Sequence, residues 1–144
     1  MGLTQQHWGA LPGGSERILL VDDEPSLAMV CQNALKRLGY RVVYQTSSPA
    51  AVETFRSQLD EDPFDLLITD MTMPQMTGVE LAMVLRRIQP GLPMIVCTGF
   101  SELLDAEKAR SMGFREYLMK PVLQSELAET VRRVLDEAGK KQKG

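Results

Sequence analysis

The chain of 144 residues has a single histidine, His7, and it lies in an aperiodic N-terminal stretch. That excludes a histidine-based metal centre and a Ser-His-Asp triad from the patterned part of the sequence. Cysteine is nearly as scarce, with only Cys31 and Cys97. Both sit inside apolar patterns without metal-ligand spacing, so they read as reduced core residues of a cytosolic protein. No apolar run approaches the roughly 18 residues that span a bilayer. The opening "MGLTQQHWGALPGG" lacks a basic start and an apolar stretch, so it is not a secretory signal. Neither sign of charge dominates, and a formal net charge of -3 argues against direct nucleic-acid binding.

What is present is an ordinary globular balance, 44% hydrophobic and 24% charged residues, in a chain long enough for one real core. Residues 1–15 read as a tail or linker, 16–138 as one domain and 139–144 as a basic tail. "RILLV" (17–21) is a buried strand followed by "DDEP", and Pro25 suits the first turn of a helix. Leu27, Val30, Ala34, Leu35 and Leu38 then recur at helical spacing, and Gly39 is a fitting stop. "RVVYQT" (41–46) is a second, more polar strand, which suits a sheet edge. A helix follows from Ser48, taken as its cap, with Pro49 in the first turn. "DLLIT" (65–69) is a third strand, and Gly78–Ile88 is helical. "MIVCT" (94–98) is a fourth strand, and a helix over Ser101–Met112 stops at Gly113. "EYLMK" (116–120) is the last strand, and an amphipathic helix runs from Leu123 to about Ala138.

Five strand-then-helix repeats imply an α/β fold, a doubly wound parallel sheet with right-handed crossovers. The strands from Arg17, Asp65 and Met94 are almost uniformly apolar, as helices on both faces require. Such sheets bind ligands beyond the carboxyl ends of their strands, where strand order reverses. Asp22 and Asp23 follow the first strand, Asp70 the third, Thr98 ends the fourth and Lys120 the fifth. In a sheet of order 2-1-3-4-5 the three aspartates converge. Clustered carboxylates cannot all stay ionised without help, and Mg²⁺ favours a few carboxylates plus a phosphate oxygen. Lys120 brings a second positive charge. The cluster suits a phosphoryl group, and a carboxylate can itself accept one as an aspartyl phosphate.

The segments "VDDEP", "DMTMPQMTG", "CTGF" and "YLMKP" resemble, in that order and spacing, a response-regulator receiver domain. The resemblance covers about residues 16–137 and implies the flavodoxin-like receiver fold of two-component signalling. It implies that Asp70 is the phosphoacceptor, that Asp23 and Asp70 ligate Mg²⁺ directly, and that Asp22 reaches it through water. Thr72 would offer its backbone carbonyl to the metal. Thr98 would be the switch hydroxyl and Tyr117 the aromatic that follows it inward. Gly99 would keep space beside the acyl phosphate, Lys120 would contact the phosphoryl group, and Pro121 would follow a cis peptide bond. Thr72 and Phe100 occupy positions that tune phosphoryl lifetime. The implied partners are a histidine kinase or histidine phosphotransfer protein as donor, and an effector on the face of the fourth helix, fifth strand and fifth helix, with no direct nucleic-acid or membrane contact.

"DMTMPQMTGVELA" and "KPVLQSELAETVRRVL" also resemble receivers at the C-terminus of hybrid sensor histidine kinases, and free-standing regulators carry similar phrases. Met73 and Met76 read as packing beneath the loop, and Pro74 and Gly78 as shaping it. Rival readings are an aspartyl-phosphate phosphatase or phosphotransferase, a binding module never phosphorylated, and a flavin protein of the same topology. The first lacks a second aspartate two residues after Asp70 and a cap insertion. The last lacks a first loop of Gly, Ser or Thr.

Overall fold

The computed structural model describes residues 11–99 and 105–143, with side chains through residue 139. His7, Trp8 and Phe100 lie outside them. The elements alternate: β1 (Arg17–Val21), α1 (Pro25–Arg37), β2 (Arg41–Gln45), α2 (Ser48–Gln58), β3 (Leu66–Asp70), α3 (Gly78–Ile88), β4 (Met94–Thr98), α4 (Ala106–Ser111), β5 (Glu116–Met119) and α5 (Gln124–Lys143). All strand pairs are parallel, in the order β2-β1-β3-β4-β5. The strand order and the edge position of the polar β2 match the expectation from sequence.

Successive strand residues face opposite sides of a sheet, so the apolar strands build two cores. Leu19, Val21, Leu67, Met94 and Val96 pack with Phe55 of α2, Leu81 and Leu85 of α3 and Ala109 of α4. Ile18, Leu20, Leu66, Ile68, Ile95 and Cys97 pack with Ala34 and Leu35 of α1 and Leu127, Val131 and Val134 of α5. The residues of β3 and β4 are all buried, which is why those strands show no polar alternation. Each such side chain contributes about 1.5–3 kcal/mol on leaving water.

Local chemistry sets the element ends. Thr77 and Glu80 form a reciprocal capping box at the start of α3: Thr77 Oγ1 accepts from the Glu80 amide at 3.2 Å, and Glu80 Oε1 accepts from the Thr77 amide at 2.9 Å. Gly39 and Gly113 end α1 and α4 with φ of 103° and 97°, the left-handed region where a Cβ is costly.

Four sequence expectations are corrected here. Ser47, not Ser48, caps α2, its Oγ accepting from the Ala50 amide at 3.3 Å. Helix α4 begins after Asp105, whose Oδ1 accepts from the Lys108 amide at 2.8 Å and so competes with helical continuation; the expected start at Ser101 lies outside the described residues. Helix α5 runs on to Lys143, through residues expected to be a basic tail. The last residues of the expected N-terminal tail dock on the domain. The Gly14 amide donates to Leu38 O at 3.1 Å, and Arg132 Nη1 of α5 donates to Gly13 O at 3.0 Å.

Candidate functional site

Asp22 and Asp23 leave β1, and Asp70 ends β3, the strand beside it in the sheet. The parallel register therefore delivers carboxylates from two separate chain segments to one end of the sheet. Ligand-type oxygens of Asp22, Asp23 and Asp70 all lie within 4.8 Å of one another. Asp22 and Asp70 are only 6% and 7% exposed, so their repulsion is poorly screened by water. Asp22 is steadied through Oδ1, which accepts from the Glu24 amide at 2.9 Å and links the cluster to the start of α1.

Lys120, just past β5, answers the negative charge. Its Nζ lies 2.8 Å from Asp70 Oδ1 and 3.2 Å from Asp22 Oδ2. Burial pulls the ammonium pKa down, but hydrogen bonds and charge from Asp70 and Asp22 outweigh it, so the net shift is upward. The lysine stays charged. The Lys120 amide also donates to Thr98 O at 2.8 Å, and the Lys120–Pro121 peptide bond is cis, as expected.

Thr98 closes β4, fully buried, and its Oγ1 has no hydrogen-bond partner among the described residues. An unpartnered buried hydroxyl carries a desolvation penalty of about 1–3 kcal/mol. Tyr117 of β5 stands opposite Val96, two residues before the Thr98 pair, and packs half-buried against the core shared by α2, α3 and α4. Strand alternation puts Thr98 and Tyr117 on the same face. Gly99 follows β4 half-buried, and Thr72 is exposed two positions beyond Asp70.

The loop after β3 is held from beneath. Met73 is buried and Met76 packs against the same core, as expected of gap-filling methionines. Ser48, fully buried, donates to Met76 O at 2.8 Å. This anchor was hidden in the sequence behind its reading as a helix cap. Gly78 packs against Asp70 O so closely that a Cβ would collide with it, and the Gly78 amide donates to Met71 O at 2.9 Å.

Leu27 and Val30 of α1, which belong to the apolar set at helical spacing, are 44% and 66% exposed. Helix α1 instead turns Ala28, Ala34 and Leu35 to the sheet. Leu27 and Val30 line an apolar cavity of about 220 Å³ with Cys31 and Val122, and Asp22, Asp70 and Lys120 form its polar end. Burial pushes the Cys31 thiol up to about 12, and Cys97 is also shifted upward by burial, so both stay protonated. Both are free thiols.

Three carboxylates and a fixed ammonium at one end of the sheet, with Thr98 ending the neighbouring β4, suit a divalent cation and a doubly charged oxyanion together. The donor set is all oxygen, which fits Mg²⁺ rather than a soft metal.

The family model described as "Response regulator receiver domain" matches residues 18–132. The chain is 32% identical to the response regulator receiver protein CpdR of Brucella abortus (strain 2308), over 83% of this chain and 97% of CpdR. It is 31% identical to the transcriptional regulatory protein GlrR of Escherichia coli (strain K12), over 84% of this chain but 26% of GlrR. The chain thus spans about a quarter of GlrR and of the ZraR regulators that it also resembles. A receiver domain protein from Clostridium thermocellum superposes with a TM-score of 0.77 at 29% identity, covering 85% of this chain and 95% of that one. With the family model spanning most of its length and CpdR matched almost end to end, this chain belongs to the response regulator receiver domain family.

Proposed function

We propose that Asp70 accepts a phosphoryl group from a phosphohistidine of a partner histidine kinase or phosphotransfer protein, and that the acyl phosphate switches partner binding. The observation that carries this reading is the pairing of Lys120 with Asp70 at 2.8 Å within the cluster of Asp22, Asp23 and Asp70. An Asp70 carboxylate oxygen attacks phosphorus. The P–N bond breaks as the P–O bond forms, its electron pair stays on the imidazole nitrogen, and solvent supplies a proton to that ring. Asp22, Asp23 and Asp70, with the Thr72 carbonyl, are the groups that would hold Mg²⁺, which neutralises charge on the phosphoryl oxygens. Lys120 offers charge-assisted hydrogen bonds to the transferred group.

Acetyl phosphate with Mg²⁺ is the direct test. Intact-mass spectrometry is expected to show one added phosphoryl group that is absent in Asp70→Asn. No added mass, or an addition that survives that substitution, overturns the assignment.

The exposed Leu27 and Val30 beside the polar end support a landing surface for the donor's apolar side chains. After transfer, the Thr98 hydroxyl bonds the phosphoryl group and Tyr117 follows into the vacated space. That shifts a two-state population toward a form with a different surface across α4, β5 and α5. Gly99 leaves room for the acyl phosphate. The parent context is read as a hybrid sensor histidine kinase from the sequence phrases around Asp70 and Lys120, with a free-standing regulator as its rival, and the module works in the cytoplasm. The reading frame upstream decides between the two contexts. Among the described residues, no helix is long and apolar enough to cross a membrane.

A further inference from the structure

A second polar cavity, of about 350 Å³, opens at the end of the sheet opposite Asp70. Its walls come from the α3–β4 loop (Pro90, Gly91, Leu92), from Gly113 and Arg115 in the connection between α4 and β5, and from Arg86 near the end of α3. The two arginines are half-buried, and no carboxylate is among the described residues lining it. Two like charges share a recess that no acidic side chain lines among the described residues.

Arg86 is held in place by design of the backbone. Its guanidinium lies over Gly113 where any Cβ would strike it, and its Nη2 makes a long 3.4 Å contact with Met112 O. The Arg115 side chain has no hydrogen bond or ion pair among the described residues. The adjacent acid, Glu116, points to the other face of β5 and is engaged by Arg133 at 3.2 Å. The acid nearest in sequence is therefore committed elsewhere.

We propose that this cavity binds a diphosphate group. A guanidinium presents a planar fork that matches phosphate oxygens in pairs, and two forks on one recess match a chain of two phosphoryl groups. The other walls are proline, glycine, leucine and alanine. They supply no aromatic face for a base and no hydroxyl or carboxylate for a sugar, so the recognised unit is the phosphate chain. Because Arg86 also touches the C-terminal carbonyl of α4, a bound anion competes with that cap and reports on α4. The site lies away from Asp70 and does not depend on the phosphoacceptor reading.

The test is isothermal titration of the whole chain with inorganic pyrophosphate, with ADP and with adenosine, in Mg²⁺-free buffer. ¹H–¹⁵N shifts of the Gly91 and Gly113 amides are followed alongside. Pyrophosphate and ADP are expected to bind and to move those amides, and adenosine is expected to do neither. Equal affinity for the first two points to free diphosphate as the source, and tighter ADP points to a nucleotide. Arg115→Ala and Arg86→Ala are each expected to weaken binding about tenfold or more, whereas Lys120→Met leaves it unchanged. Absence of binding overturns the proposal. So does binding that survives Arg115→Ala, or binding lost in Lys120→Met, which would place the anion at the Asp70 end.

Discussion

Lys120 Nζ reaches Asp70 Oδ1 at 2.8 Å and Asp22 Oδ2 at 3.2 Å, so one ammonium bridges the ends of β1 and β3 from a third strand. Removing it leaves two almost fully buried carboxylates without that counter-charge. Lys120→Ala is expected to lower phosphoryl uptake from acetyl phosphate by about 10²-fold or more, the usual consequence of losing one aimed electrostatic donor. Mg²⁺ affinity, measured by titration, is expected to hold or rise, because the cation no longer competes with the lysine. Unimpaired uptake would remove Lys120 from the chemistry.

The orphaned Thr98 hydroxyl gives a prediction of opposite sign for stability and function. Thr98→Val deletes a buried polar group that has no partner among the described residues and keeps the side-chain shape. The unphosphorylated protein is expected to gain about 1 kcal/mol, read as a higher urea midpoint at unchanged slope. Phosphorylation-dependent shifts at Tyr117 are expected to disappear. A loss of stability in this variant would mean that the hydroxyl has a partner in the resting state.

Ser48 reports on the loop that carries the site. Ser48→Ala breaks the 2.8 Å bond to Met76 O and leaves that half-buried carbonyl short of a donor. Destabilisation of about 1–3 kcal/mol is expected by denaturant titration. Ser47→Ala, which removes only the cap of α2, is expected to cost about 1 kcal/mol. Equal effects with an unperturbed loop by hydrogen exchange would refute the anchoring role.

Arg132 ties the N-terminal segment to α5 and predicts an acid-side effect. Arg132 lies 2.6 Å from Glu16 Oε2, and its hydrogen bond, opposed by burial, holds the Glu16 carboxyl below its ordinary value of 4.5. With the folded pKa depressed, the stabilisation is complete above the unfolded value and is lost as pH falls through the folded one. Wild type is therefore expected to lose stability below pH 4.5 more steeply than Glu16→Gln. Parallel melting profiles from neutral to acid pH would show that this pair contributes nothing to folding.

Much of the site was legible without coordinates, because its members stand at strand ends marked by local signals. The apolar runs before Asp22 and Asp70 end in carboxylates, Pro25 and Gly39 bracket α1, and Gly113 closes α4 with φ of 97°. These depend on backbone propensity and side-chain period, which act over a few residues. The partner of Lys120 could be anticipated once parallel order placed β1 beside β3. The role of Ser48 could not, since Ser47 and Ser48 are equally good caps in sequence and only the approach of Met76 separates them.

By itself, then, the amino-acid sequence determined five strand-helix repeats, a parallel sheet and the carboxylates, hydroxyl and lysine at its carboxyl end. Those follow from periodicity, capping and the limited ways a strand can return parallel to its neighbour. Tertiary structure alone decided which apolar residues of α1 face solvent, and that Gly13 and Glu16 meet Arg132. It alone set Arg86 and Arg115 on one recess with α4 between them in the chain. Such contacts depend on how far each helix rotates against the sheet and which segments the closed core brings within reach, and neither quantity is written in the spacing of nearby residues.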